Sequence, residues 1–114
     1  MSDLLDKKCV PCEGGSRPFD IGKINEYQKK VYGWSVKKNK KNLYFLEKNF
    51  IFKNFIKSQN FIIKVGEVSE QENHHPDISF GWGYAKILIA THVVKGLSEN
   101  DFILAAKIDQ IFSV

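Results

Sequence analysis

The apolar residues of this chain change period sharply around Asn73, and that change constrains the architecture available to it. From Phe52 to Glu72 they recur at helical spacing, whereas Ile78, Phe80 and Trp82 alternate as in a strand. Between the two patterns stands Asn73-His74-His75-Pro76. The residue before a proline avoids helical geometry, so the helix must stop there. A long helix that runs straight into a strand packs best as a layer against a sheet.

The remaining segments supply that sheet. Asp20 reads as an N-cap ahead of Ile21, Ile24, Tyr27 and Val31, and Gly33 as the helix stop. Trp34 to Val36 opens a strand, Lys37 to Asn42 is a basic turn, and Leu43 to Phe50 returns. Gly81 and Gly83 flank Trp82 and mark a tight turn or bulge. Ala85, Ile87, Ile89 and Thr91 then share one face of a fourth strand, with Lys86, Leu88, Ala90 and His92 on the other. Ser98 opens a final helix with Leu104, Ala105, Ile108 and Ile111 as its apolar stripe. The expected fold is α+β, a four-stranded antiparallel sheet with three helices on one face, in the order α-β-β-α-β-β-α.

The helix over 52–72 has two apolar stripes. The broader holds Phe52, Phe55, Ile56, Ile62, Ile63 and Gly66 and is expected on the sheet; the narrower, Phe61, Val65 and Val68, is left for a subunit interface. At 114 residues a single domain is expected, over residues 20–114. Residues 1–19 form an irregular arm with Cys9-Val10-Pro11-Cys12. That Cys-x-x-Cys lacks two further ligands for zinc and a following helix for a redox pair, so pairing across a symmetry axis or a modest redox role stays open. The sequence shows no export signal and no span of about 20 apolar residues, so a soluble cytoplasmic protein without membrane contact is expected. The formal charge of +4 is carried by lysines and a single arginine, Arg17; a nucleic-acid binder would cluster such charge, so no nucleic-acid partner is expected.

The chemistry lies in the histidines. All three fall in Glu70-x-x-x-His74-His75-Pro76-Asp77 and Thr91-His92, followed by Gly96-Leu97-Ser98-x-x-Asp101. Imidazole is the side chain best suited to move protons near neutral pH. Glu70, one turn before His74, can accept a ring N–H from it. Asp101 reads first as the acid of a capping box with Ser98, although one carboxylate oxygen can cap while the other faces a cleft. Thr91 is expected in the core. His74, His75 and His92 with Glu70 or Asp101 would satisfy zinc, but no His-x-His or His-x-x-x-His pair puts two rings on one face, and no metal is expected. No nucleophile motif or phosphate loop is present, which leaves acid–base chemistry without a covalent intermediate. Lys37, Lys38, Lys40 and Lys41 are expected to be solvated.

These motifs resemble the pterin-4a-carbinolamine dehydratase family, as do Phe50-x-Phe52-x-x-Phe55, Gly33-Trp34 and the cysteine arm of a bacterial and organellar branch. The resemblance implies the fold given above and assembly into a homodimer or homotetramer through the sheet edge and the long helix. It also implies dehydration of 4a-hydroxytetrahydropterin to quinonoid dihydropterin, with no metal or organic cofactor, in service of an aromatic amino acid hydroxylase. By the same resemblance His74, His75 and His92 are catalytic and Glu70 and Asp101 orient them. Asn73, Ala90, Thr91 and Val93 join the histidines around the substrate. Asp77 and Ile78 depart from many animal members at the pocket rim. Pterin salvage, a molybdopterin-related role and a dimerisation role for a homeodomain transcription factor, as in animal members, are the alternatives it carries.

Overall fold

The computed structural model describes residues 3–10 and 17–113, so Cys12 and the glycines after it lie outside the described residues. Strands β1 (Ser35–Lys38), β2 (Tyr44–Ile51), β3 (Asp77–Gly81) and β4 (Tyr84–Ile89) form an antiparallel sheet in the order β1-β2-β4-β3. Helices α1 (Ile21–Gln28), α2 (Phe55–Glu72) and α3 (Glu99–Ser113) complete the expected order. Register follows the pleat: Leu46 faces Ile89 and Phe50 faces Ala85, so these residues and Ile87 share the buried face. Phe61 and Val65 of α2 and Phe102, Ile103, Leu104 and Ile108 of α3 close on it. Each large apolar side chain buried there contributes about 1.5–3 kcal/mol.

Local chemistry sets the boundaries. Asp20 accepts from the Lys23 amide at 2.9 Å and Asn54 from the Lys57 amide at 3.0 Å, so both helices start on a capping side chain. Trp82-Gly83 is a two-residue hairpin loop, with Gly83 at φ 81°, a conformation that suits glycine.

The stripes of α2 differ from the sequence expectation: Phe61 and Val65 of the narrower are buried, while of the broader only Phe52 and Ile62 pack, partly buried, against the core. The buried positions of α2 are Ser58, Phe61, Val65, Ser69 and Glu72. Phe55, Ile56 and Ile63, assigned to the sheet by their number, are 44%, 52% and 55% exposed. The buried stripe is half polar, so counting apolar residues picks the wrong face. Its polar groups are all satisfied: Ser58 Oγ donates to Gly81 O at 2.6 Å, Ser69 Oγ to Val65 O at 2.7 Å, and Glu72 accepts from Lys107 at 2.6 Å.

Residues 3–10 of the N-terminal arm are more ordered than their composition suggests. Asp3–Asp6 form a 3-10 turn whose Leu4 is fully buried in the core. Lys7 Nζ and Tyr27 Oη both donate to Glu99 Oε2 at 2.8 Å, tying the arm and α1 to the start of α3.

Candidate active site

The site forms where α2 stops. Asn73 takes the left-handed conformation at φ 52°, and the His74 amide donates back to Ser69 O at 3.1 Å. That closure turns the chain so that His74 points under the corner and His75 outward. His74 is nearly buried, its side chain 12% exposed, while that of His75 is 54% exposed.

Under the corner stands Asp101, fully buried in the first turn of α3. Its Oδ1 lies 2.7 Å from His74 Nε2. Its Oδ2 accepts from the Ser98 amide and from Thr91 Oγ1, each at 2.8 Å. Because the single Thr91 hydroxyl proton goes to Asp101, the 2.8 Å contact between Thr91 and Ser98 is a donation from Ser98 Oγ. One oxygen therefore caps while the other holds His74, and the carboxylate itself, fully buried, does not line the cleft. Thr91 is buried as expected, and it also links the third histidine to this carboxylate.

His92 is not the end of β4. The strand finishes at Ile89, and His92–Val94 form a 3-10 turn closed by pairing of Thr91 with Gly96. The Thr91 amide donates to Gly96 O at 2.8 Å. A Cβ on Gly96 would stand 2.8 Å from Pro18 Cβ, so only glycine fits where the loop closes. The loop lifts exposed His92 and Val93 over the corner.

His74, His75 and His92 line one cleft of about 390 Å³, together with Asn73, Ala90, Thr91 and Val93. Seven positions expected around a substrate thus meet in space. Glu70 takes a different partner from the one its spacing suggested. Its Oε2 contacts His75 Nε2 on the surface, because His74 turns inward to Asp101. Among the described residues no group of three His, Cys, Asp or Glu side chains is placed to hold a metal ion.

The opposite wall was not legible in the sequence. Cys9, Val10, Glu72 and Asn100 complete the cleft. Asn100 pairs with the Val10 backbone both ways, accepting its N–H at 3.0 Å and donating to its carbonyl at 2.6 Å. The Cys9 amide donates to Glu72 Oε1 at 2.8 Å. Burial would raise the Glu72 carboxyl, but hydrogen bonds from Lys107 and the Cys9 amide outweigh it and hold it below its ordinary value. Burial, with the Glu72 charge beside it, pushes the Cys9 thiol up to about 12. These partners lie far apart in the chain, and no spacing signals them.

Residues 17–111 match the family model described as Pterin 4 alpha carbinolamine dehydratase. A protein of Rubrobacter xylanophilus is 42% identical over 97% of this chain and 100% of its own length. One of Halorhodospira halophila is 46% identical over 95% and 96%. Both are provisionally named pterin-4-alpha-carbinolamine dehydratases. Among solved structures, a transcriptional coactivator/pterin dehydratase from Brucella melitensis superposes with a TM-score of 0.74 at 24% identity, over 83% of this chain and 98% of its own. A pterin dehydratase-like protein identified as a RuBisCO assembly factor gives 0.60 at 23%, over 70% and 89%. At those identities the two structures bear on the fold alone.

Proposed function

The chain belongs to the pterin 4 alpha carbinolamine dehydratase family and is a hydro-lyase, and from that premise we propose that it dehydrates 4a-hydroxytetrahydropterin to quinonoid dihydropterin through its histidines. The observation that carries this reading is the convergence of His74, His75 and His92 on one cleft, with the innermost ring held by a buried carboxylate. In the reaction the N5 lone pair expels the C4a hydroxyl. An acid protonates the departing oxygen, a base takes the N5 proton, and one water leaves. Each positioned proton transfer is worth about 10²–10⁴-fold, and an unperturbed imidazole serves in either direction near neutral pH.

His74 and His92 deliver protons toward the hydroxyl on either face of the ring, and His75 contacts the pterin and carries most of the turnover. Asp101 orients His74 as the acid of a catalytic triad orients its histidine. Glu70 does the same, more weakly, for His75. Backbone of Asn73 and of residues 90–93 lines the ring. The protein works in the cytoplasm, recycling the pterin of an aromatic amino acid hydroxylase. It assembles as a homodimer or homotetramer through the β3 edge and the exposed face of α2. Among the described residues no helix is long and apolar enough to cross a membrane.

The direct test follows the loss of 4a-hydroxytetrahydropterin absorbance with purified, chelator-treated protein against the uncatalysed rate. Acceleration that disappears in His75→Ala is the expected result. A folded protein that gives no acceleration sinks the reading.

A further inference from the structure

A second cleft, of about 400 Å³, adjoins the first and shares His75, Ala90 and His92 with it. It opens over the sheet face that no helix covers among the described residues, on a floor that includes Phe45 and Leu88. Its rim is the β1–β2 turn, where Lys38, Asn39 and Lys40 line it. Asn39 holds that turn in shape: its Oδ1 accepts the amides of Lys41 at 2.8 Å and Leu43 at 3.1 Å.

The charges around this cleft are unevenly used. On the same sheet face Lys37 and Lys86 both pair with Glu47. Lys38 and Lys40 form no ion pair among the described residues, although the Lys38 ammonium lies 4.9 Å from the Tyr44 ring centroid. One carboxylate, Asp77, also lines the cleft. It belongs to β3, at the opposite edge of the sheet from β1. An anion entering the cleft is therefore repelled at one side and attracted at the other.

Resting on the dehydratase reading, we propose that this second cleft receives the substituent of the pterin ring and favours one that ends in an oxyanion, a carboxylate or a phosphate ester. The two clefts that meet at His75, Ala90 and His92 offer a substituent on a ring held among the histidines two directions. The arm closes the side of Cys9 and Val10, which leaves the open sheet face. Phe45 and Leu88 give such a substituent an apolar bed, and Lys38 and Lys40 stand where its end group would arrive.

Pterin fluorescence titrations test this with three probes: 6-hydroxymethylpterin, its phosphate ester and 6-carboxypterin. Each exposed lysine–anion contact is worth about two- to fivefold in affinity, so native protein should favour an anionic probe by several-fold at low salt. The preference should vanish in the Lys38→Gln/Lys40→Gln double variant, with affinity for the neutral probe unchanged. Lys41→Gln removes a charge from the same turn without touching the cleft and should keep it. A preference for only one anionic probe tells phosphate from carboxylate and supports the subsite. Equal affinity for all three, or an equal loss in Lys41→Gln, overturns it. Turnover of a carbinolamine with a neutral 6-methyl substituent needs neither lysine. No acceleration there sinks the dehydratase reading, whereas acceleration there without charge preference sinks the subsite alone.

Discussion

His74 Nε2 lies 2.7 Å from Oδ1 of Asp101, a carboxylate with no solvent exposure whose other oxygen is taken by Ser98 and Thr91. A carboxylate fixed on three sides fixes the ring it touches. Asp101→Asn keeps the volume and removes the charge that selects the tautomer of His74. Turnover should fall about 10²–10⁴-fold with KM changed far less, and ring nitrogen shifts in an NMR spectrum should report a changed tautomer. Asp101→Ala also strands the Thr91 hydroxyl and the Ser98 amide, and should lower stability by about 2–4 kcal/mol in urea unfolding. An Asp101→Asn enzyme with native turnover would rule out the positioning role.

Glu70 meets His75 at the surface, with side chains 78% and 54% exposed. Exposed ion pairs are weak and screened by salt. Glu70→Gln should therefore change turnover by no more than about fivefold, less at high salt. A loss as deep as that of Asp101→Asn, measured side by side, would show that the two acids do equal work.

The arm should loosen in acid. Hydrogen bonds from Lys7 and Tyr27 hold the Glu99 carboxyl below its ordinary value, and Glu72 is held low despite its burial. A carboxyl depressed in the folded state contributes stability that is present above its unfolded pKa of about 4.3 and is lost as pH falls through the folded value. Melting temperature should fall through that window. The fall should be shallower in Glu72→Gln and Glu99→Gln, and identical slopes in all three proteins would refute the assignment.

Cys9 should be a poor nucleophile. Its thiol, pushed up to about 12, stays protonated at neutral pH, and only the thiolate reacts. In a Cys12→Ser background, iodoacetamide should modify Cys9 far more slowly than a free thiol at pH 8. Asn100→Ala, which releases Val10, should speed the reaction. Rapid labelling of the starting protein would mean that the arm does not bury Cys9 in solution.

Association should depend on the exposed face of α2. Ile56→Lys with Ile63→Lys places two charges on that face and leaves Phe61 and Val65 in the core. Sedimentation velocity should show a shift toward monomer with circular dichroism unchanged. An unaltered oligomer would move the interface elsewhere.

Element order and the corner are legible in the chain alone. Helical and strand periods are local properties, and Pro76 stops a helix wherever it stands. The sequence also held the motifs that place the chain in its family. Residue spacing reached Ser98 and Asp101 because a cap is made within one turn. Tertiary packing settled which face of α2 is inside, since Ser58 and Glu72 are buried through partners on other elements. It gave His74 to Asp101 and His75 to Glu70, a choice set by the left-handed turn at Asn73. It brought His92 to the other histidines on a loop rather than a strand, and built the far wall from Cys9, Val10 and Asn100. Periodicity reports how a residue sits on its own helix or strand. The partners of a buried polar group are fixed by where other elements land, and nothing local in the chain encodes that.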